Sequence, residues 1–210
     1  MSEHDLNWKY VDESVVEADA VARARQLSLE LGIDAVSPAV GAQLAVIAAA
    51  ARAQTIIEIG TGVGVSGLWM LQGAREAHLT SIDVETEYQQ HARDQFAAAG
   101  IAPARIRLIT GRAAEVLPRM NEASYDLVLL DADPSNVIEY VEHGLRLAAA
   151  GGTVLVPHAL WKGRVADPAK RDDIPVAFRG LIGELAASGA VAVAVSPAGD
   201  GLLQIVKLGS

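Results

Sequence analysis

The sequence Thr55-Ile-Ile-Glu-Ile59 runs directly into Gly60-Thr-Gly62-Val-Gly64-Val-Ser66-Gly67. β-Branched residues dominate the first five positions, as is typical of a buried strand. The glycines that follow allow the backbone to turn tightly from a strand into a helix, and they let a ligand lie against main-chain atoms. In doubly wound sheets the ligand crevice opens at such a turn, so this stretch predicts a nucleotide-binding loop at the end of the first core strand.

The rest of the chain alternates short β-branched runs with longer amphipathic segments, a pattern typical of parallel strands joined by crossover helices. Five parallel strands are predicted, at residues 55–59, 79–82, 106–109, 127–130 and 153–156. Two further runs, 191–195 and 202–208, are separated by Ser-Pro-Ala-Gly-Asp-Gly, which suits a hairpin and is too short for a helix. We therefore expect an α/β, doubly wound, Rossmann-like sheet of seven strands, with the last strand antiparallel and helices on both faces.

Two extra helices are predicted before the first strand, at residues 12–31 and 38–52. The chain shows no internal repeat, no low-complexity tract and no second domain boundary. We therefore expect residues 1–210 to form a single domain, with the N-terminal helices in 1–53 and the sheet core in 54–210.

Sequence patterns also indicate where individual helices begin and end. Thr86-x-x-Gln89 has the pattern of a capping box, and Gly100 is typical of the residue that follows a helix. Asp173 before Ile174-Pro175 is interpreted as an N-cap with proline near the first turn. The preceding segment, 167–173, is expected to be an exposed loop.

Composition restricts the class of protein and of partner. With 210 residues, of which 51% are apolar and 20% charged, the chain can bury a full core without disulfides or a structural metal. The 17 basic residues against 26 acidic ones give a formal charge of −9, which opposes nucleic-acid binding and favours a small-molecule partner. Cysteine is absent, the N-terminus lacks the pattern of a signal peptide, and the apolar stretch 39–51 is too short for a membrane span. We therefore expect a cytoplasmic protein that neither spans nor binds a membrane.

The glycine spacing alone leaves two cofactor classes open. Gly62-x-Gly64-x-x-Gly67 also fits the dinucleotide fingerprint, and Asp83 lies about 20 residues further on, where a carboxylate can hold ribose hydroxyls. Charge favours S-adenosylmethionine over a dinucleotide, because Glu58 at the strand end would repel the pyrophosphate of a dinucleotide. The sulfonium and ammonium of S-adenosylmethionine would instead be attracted, with Glu58 facing the methionine end and Asp83 the ribose.

The chain resembles the class I S-adenosylmethionine-dependent O-methyltransferases, in particular the small catechol- and caffeoyl-coenzyme-A-type group. The resemblance runs from about Val36 to the C-terminus. It rests on Glu-Ile-Gly-Thr-Gly-x-Gly-x-Ser, Thr-Ser-Ile-Asp83, Gly111-Arg-Ala113 and Tyr125-Asp-Leu-Val-Leu-Leu-Asp131-Ala-Asp133. The resemblance implies the same seven-stranded sheet, often a homodimer, and a set of cofactor-binding residues: Val36, Glu58, Gly60, Thr61, Gly62, Ser66, Asp83, Val84, Ala113 near the adenine, and Asp131 and Asp133 facing cofactor and acceptor.

The chain departs from that family at the metal site. Family members usually bind a divalent cation through the aspartate after strand four and an Asp-Asn pair after strand five, and carry a lysine three residues past that aspartate. Here Asp131 is kept, but Pro134 stands at the lysine position and Pro157-His158 at the Asp-Asn position. Because Mg²⁺ prefers several oxygen ligands, we expect no metal ligands and no divalent metal.

Without the lysine, Asp131 and His158 are the candidates for the catalytic group that takes the acceptor proton. His158 lies at the carboxyl end of a strand, where doubly wound folds keep their chemistry, although a lone histidine is more often structural or exposed. Trp69 is expected in the core, whereas Trp161 is interpreted either as a wall of the acceptor pocket or as plain packing.

These observations leave three alternative functions, of which the first is the leading hypothesis. The first is methyl transfer from S-adenosylmethionine to an oxygen of a small-molecule acceptor, without a metal. The second is a catalytically degenerate protein that binds S-adenosylmethionine without turnover, which the replacements Pro134 and Pro157 favour. The third is an NAD-dependent oxidoreductase, which is weakened by Glu58 and by the lack of a second mononucleotide-binding half.

Overall fold

The computed structural model describes residues 3–209, with side chains described from Leu6 onward. The α-helices in this range are α1 (Glu3–Ser14), α2 (Asp19–Glu30), α3 (Pro38–Ala50), α4 (Val65–Gly73), α5 (Thr86–Ala98), α6 (Ala113–Val116), α7 (Val137–Leu147) and α8 (Asp173–Ala187). The strands are β1 (Thr55–Ile59), β2 (His78–Asp83), β3 (Ile106–Thr110), β4 (Tyr125–Leu130), β5 (Ala148–Pro157), β6 (Val191–Ser196) and β7 (Leu202–Lys207). Among the described helices, none combines the length and the apolar character needed to cross a membrane.

All seven strands form one sheet, in the order β3-β2-β1-β4-β5-β7-β6. Strands β1 to β5 pair in parallel, and β7 runs antiparallel to both β5 and β6. The predicted sheet is therefore confirmed, including its terminal hairpin. The chain moves outward from β1 through β2 to β3 and then crosses back to β4, so the topological switch point lies between the carboxyl ends of β1 and β4.

Apolar side chains pack on both faces of the sheet. In β1, Ile56 joins the cluster that packs under α2 to α5, whereas Ile57 joins the cluster under α7 and α8. Successive residues of β4 divide in the same way, with Leu129 on the first face and Val128 on the second. This alternation follows from the two-residue period of a strand and confirms that helices cover both faces.

The prediction of one helix over residues 12–31 is wrong, because the chain leaves the helical conformation after Ser14 and α2 begins only at Asp19. Ala18 is extended, and the carboxylate of Glu17 turns back to accept bonds from Nε and Nη2 of Arg25 at 2.9 and 2.7 Å. This local ion pair fixes the break. The second predicted helix, 38–52, is confirmed as α3, with the side chain of Ser37 capping its first turn.

Two predicted helix caps are also wrong. Thr86 lies inside the first turn of α5, and Gln89 points into the core, where its Nε2 donates to the carbonyl of Ile109 at 2.8 Å. At α8 the N-cap position is Asp172 rather than Asp173, because the Asp172 carboxylate pairs with Arg164 and keeps that residue extended. Gly100 follows α5 with φ of +73°, as predicted.

Candidate active site

A cavity of about 340 Å³ lies at the switch point, between the tips of β1, β2 and β4 and the linker that precedes α3. Its walls include ten of the eleven residues predicted to bind the cofactor: Val36, Gly60, Thr61, Gly62, Ser66, Asp83, Val84, Ala113, Asp131 and Asp133. The structure thus brings together side chains that are up to 97 positions apart in the sequence, from Val36 to Asp133 (133 − 36). Glu58 is the predicted residue that does not line the cavity.

The glycine turn closes the inner end of the cavity through a close backbone approach. Gly60 has φ of +93°, and a Cβ atom there would lie 1.8 Å from the carbonyl oxygen of Asp131. The amide of Asp131 in turn donates to the carbonyl of Ile59 at 2.8 Å. Any side chain at Gly60 would therefore separate the tips of β1 and β4, which explains why glycine is required at this position.

Glu58 lies beneath the glycine turn and has no exposed surface. Its carboxylate accepts a bond from the hydroxyl of Ser66 and one from that of Ser81, the latter at 2.7 Å. Burial raises the pKa of Glu58 to about 7, and the two serine hydrogen bonds offset part of that rise. Direct contact between Glu58 and a cofactor stays a prediction, because the hydroxyl of Ser66 stands between this carboxylate and the cavity.

Asp83, at the tip of β2, faces the same cavity. One of its carboxylate oxygens accepts from the amide of Gly62 at 2.9 Å, and the other from the amide of Glu85 at 3.0 Å. Each carboxylate oxygen can accept a second hydrogen bond, so both remain able to receive ligand hydroxyls. The contact with a ribose stays a prediction, but Asp83 is fixed where such a contact is possible.

A second cavity, of about 280 Å³, adjoins the first and shares the residues Asp34, Ala35 and Val36 with it. We call the place where Asp131 of the first cavity meets His158 and Asp200 of the second the acceptor corner. The imidazole of His158 lies between the two carboxylates, with Nε2 3.8 Å from Asp131 and Nδ1 3.8 Å from Asp200. The structure therefore brings the two predicted catalytic residues, Asp131 and His158, to one point.

Three neighbouring acidic side chains, Asp34, Asp131 and Asp200, dominate the electrostatics of the acceptor corner. Burial raises the pKa of Asp131, the neighbouring His158 lowers it, and Asp34 raises it further. Burial also raises the pKa of Asp200, which the backbone amide of Lys162 and the nearby His158 partly offset. Such a corner favours a cation and disfavours a polyphosphate.

The donor set at this corner does not fit the divalent cation that the family resemblance implies. Pro157 has no side-chain ligand, and His158 offers a nitrogen where a hard cation prefers oxygen. Among the side chains described, those of residues 6–209, no group of three or more His, Asp or Glu is arranged to hold a metal ion.

The two tryptophans discussed above have different environments. Trp69 is 4% exposed and belongs to the apolar cluster under α4, so its predicted core position is confirmed. Trp161 lines a small cavity of about 50 Å³ together with Phe178, beside Asp131 and His158. It also packs against the second apolar cluster, as the packing interpretation predicts, and its role as a wall of the acceptor pocket stays a prediction.

Sequence reasoning missed two acidic residues of this site, Asp34 and Asp200. Asp34 lies in the linker before α3 and borders both cavities. Asp200 lies in the β6–β7 connection, where its neighbours Gly199 and Gly201 indicated only a hairpin turn. Nothing in the local sequence of either residue signals that it reaches the end of β5.

Comparisons with known proteins agree with this geometry. The sequence profile of the O-methyltransferase family matches residues 12–208. A protein of Mycobacterium tuberculosis named "Probable O-methyltransferase" is 44% identical over 201 residues, which cover 95% of this chain and 90% of the relative.

Two solved structures superpose over the whole chain. A protein of Corynebacterium glutamicum has a TM-score of 0.90 and 30% identity, with 100% of this chain and 99% of the other covered. An O-methyltransferase of Streptomyces achromogenes involved in tomaymycin synthesis, solved in complex with S-adenosylmethionine, has a TM-score of 0.87 and 28% identity, with both chains covered completely.

Proposed function

Since the chain belongs to the O-methyltransferase family, we propose that it transfers a methyl group from S-adenosylmethionine to an oxygen of a small-molecule acceptor, without a divalent cation. The observation that carries this proposal is the convergence of ten predicted cofactor residues on one cavity at the switch point of the sheet. S-adenosylmethionine, when bound there, supplies an activated methyl group on a cationic sulfur. The side chains of the protein bind and orient the cofactor and the acceptor, and they take the proton of the acceptor hydroxyl.

The charge of the first cavity supports this cofactor over NAD. Asp83, Asp131 and Asp133 all line it, and the buried Glu58 lies directly beneath. A pyrophosphate would bring two further negative charges to this partly dry cleft, whereas a sulfonium and an ammonium compensate the acids already present. The carboxylate of Asp83 then remains for the hydroxyls of the uncharged ribose.

The second cavity is assigned to the acceptor. It opens from the first along Asp34 to Val36, so an acceptor placed in it meets the cofactor at Asp131. Methyl transfer requires the attacking oxygen to lie in line with the bond that breaks, at about 3 Å, and such positioning supplies much of the rate. Asp131 and His158 border the place where the acceptor hydroxyl loses its proton.

Binding and turnover are tested separately. We expect calorimetry to detect S-adenosylmethionine binding and no NAD binding, and we expect release of S-adenosylhomocysteine with catechol and 3,4-dihydroxybenzoate as probe acceptors. The release should be unchanged by EDTA, because the oxygen ligands for Mg²⁺ are missing. Uptake of NAD without S-adenosylmethionine would contradict the cofactor, and binding without any release would favour the degenerate alternative. Activity that disappears with EDTA and returns with Mg²⁺ would contradict metal independence.

We further propose that the chain works as a homodimer. Apolar side chains on the N-terminal helices support this, since Leu6, Leu29 and Val46 are each at least half exposed, at 50%, 69% and 68%. Such residues are common at symmetric interfaces. Light scattering should give twice the 22.0 kDa chain mass, and a monomer at all concentrations would contradict this proposal.

A further inference from the structure

The β6–β7 hairpin is fastened to the turn that follows β5. The amides of Ala159 and Leu160 donate to the carbonyls of Gly201 and Asp200, at 3.1 and 2.8 Å. The side chain of Asp200 also accepts from the amide of Lys162. Asp200 is therefore held by both its main chain and one carboxylate oxygen, and its second oxygen points toward His158.

The backbone of His158 adopts a conformation that is rare for a residue with a side chain. Its φ is +56°, a strained conformation that persists only where the surroundings impose it. This conformation directs the imidazole between Asp131 and Asp200, with 3.8 Å on each side. The strain thus sets the orientation of a ring that links two elements.

Two buried atoms at this point have no hydrogen-bond partner among the described side chains, those of residues 6–209: Nε2 of His158 and Oδ2 of Asp200. An unpaired buried polar atom is destabilising, so a native site that keeps one calls for an explanation. Catalytic hydrogen bonds are often long in ligand-free structures and shorten when the complex forms. If the distance between Nδ1 of His158 and Oδ2 of Asp200 shortened by less than about 1 Å, Nδ1 could donate to this carboxylate.

We propose that Asp200 is a positioning residue for methyl transfer, which holds the Nδ1–H of His158 and thereby leaves the lone pair of Nε2 facing the acceptor hydroxyl. This inference rests on the proposed function. Asp131 lines the cofactor cavity and faces the cation, whereas Asp200 lies on the other side of the ring, among residues of the second cavity only. The tautomer of His158 is therefore set from the hairpin side.

Nε2 of His158 and the carboxylate of Asp131 can share one hydroxyl group. Atoms 3.8 Å apart leave no room for an oxygen on the line that joins them, but an oxygen at the usual hydrogen-bond length of about 2.8 Å from each lies about 2 Å to one side of that line. In the transfer step this oxygen forms a bond to the methyl carbon while the carbon–sulfur bond breaks. The electron pair of that bond stays on sulfur, and the hydroxyl proton goes to Nε2 of His158.

The tautomer can be read without cofactor or acceptor. In the full-length protein with ¹⁵N-labelled histidine, the signals of His158 among the five histidines are those that disappear in His158→Gln. We expect the proton on Nδ1 in the wild type. Asp200→Asn keeps an oxygen for the amide of Lys162 but turns an NH₂ group toward the ring, so we expect the proton to move to Nε2.

Asp167→Asn is the matched control, because Asp167 accepts from the amide of Ala169 in the exposed loop and does not contact His158. It should leave the tautomer unchanged. A wild-type proton on Nε2, or a tautomer that Asp200→Asn does not alter, would overturn the proposal. Because this spectrum needs no turnover, a failure of the proposed function is seen separately, as missing S-adenosylhomocysteine release.

Kinetics distinguish positioning from a structural role. With catechol as probe acceptor, we expect Asp200→Asn to lower kcat by about 100-fold, the usual contribution of a general base, with KM for S-adenosylmethionine within about twofold of the wild type. Because Asp200 acts through His158, the double variant should lose no more than His158→Gln alone. The proposal would be contradicted if the losses of kcat in the two single variants multiplied in the double variant. It would also be contradicted if the KM for S-adenosylmethionine rose in Asp200→Asn as kcat fell.

Discussion

The two ends of the crevice treat buried polar groups in opposite ways. At the cofactor end, the carboxylate of Glu58 is fully buried and each of its oxygens accepts a bond from a serine hydroxyl. At the acceptor corner, within the described residues, Nε2 of His158 and Oδ2 of Asp200 are buried with no partner. The chain completes the hydrogen bonding of the first end by itself, whereas in our proposal the second end is completed when Asp200 accepts from His158 and the acceptor hydroxyl bonds to Nε2.

This difference follows from how each end is built. The cofactor end consists of neighbouring strand tips, in which Glu58 of β1 lies beside Ser81 of β2, so its partners are fixed by the register of the sheet. The acceptor corner is assembled from Asp131 after β4, the turn after β5 and the tip of the β6–β7 hairpin. Regular strand pairing does not position these loops, and only specific bonds between them do.

The largest effect is expected from Gly60→Ala, which introduces a Cβ 1.8 Å from the carbonyl of Asp131 at a φ of +93°. Clash and backbone strain together should lower the free energy of unfolding by about 3 kcal/mol or more, a fall in Tm on the order of 10 °C, and should abolish S-adenosylmethionine binding. Thermal unfolding and calorimetry measure both.

Gly163→Ala is the matched control at the other end of the crevice. Its φ is +76°, but a Cβ there would meet no atom within 4 Å, so it reports strain alone, about 1 kcal/mol. Equal losses of unfolding free energy in the two variants would show that the close backbone approach at Gly60 adds nothing to the strain that both glycine positions share.

A smaller effect is expected from the titration of Glu58. Its pKa of about 7 in the folded protein lies above the ordinary 4.5, so the folded state keeps a proton that the unfolded chain releases. Stability from this group is fully present below pH 4.5 and is lost as pH rises through 7, by about 3 kcal/mol in all.

Glu58→Gln removes this group from the pH profile while keeping its size. Denaturant unfolding at pH 5 and pH 8 should therefore show a smaller loss of stability in the variant than in the wild type. Parallel pH profiles would contradict the raised pKa and would mean that the two serine hydrogen bonds offset the burial of Glu58 completely.

The smallest effect is expected from Asp83→Ala, which removes the acceptor for two ribose hydroxyls. With each of the two hydrogen bonds contributing about 1 kcal/mol, the Kd for S-adenosylmethionine should rise about 30-fold. Asp94→Ala, in which an exposed carboxylate on α5 is lost, should leave the Kd unchanged. An unchanged Kd in Asp83→Ala, measured by calorimetry, would exclude Asp83 from the binding site.

The strands and the glycine turn could be predicted from the sequence because their signals are local. Thr55–Ile59 is a β-branched run, and the positive φ of Gly60 and Gly64 is a conformation for which glycine is the default residue. The break between α1 and α2 could not be predicted in this way, since it depends on the pair Glu17–Arg25 rather than on a helix-breaking residue.

The acceptor corner was predictable only in part. Asp131 and His158 directly follow strands, so they could be predicted from the rule that ligands bind at the carboxyl ends of parallel strands. Asp200 precedes the antiparallel strand β7, whose pairing with β5 brings Leu202 opposite Pro157 and so carries Asp200 to the end of β5. That placement depends on a long-range strand pairing, and no local pattern around Asp200 reveals it.

The fastening of the hairpin to the β5 turn has an evolutionary consequence. The residues that hold the cofactor end are constrained by sheet register, whereas the hairpin tip is a loop held in place by a few specific bonds. Divergence can therefore alter the second cavity through loop residues that make none of these bonds, while the strand tips that line the first cavity keep their positions.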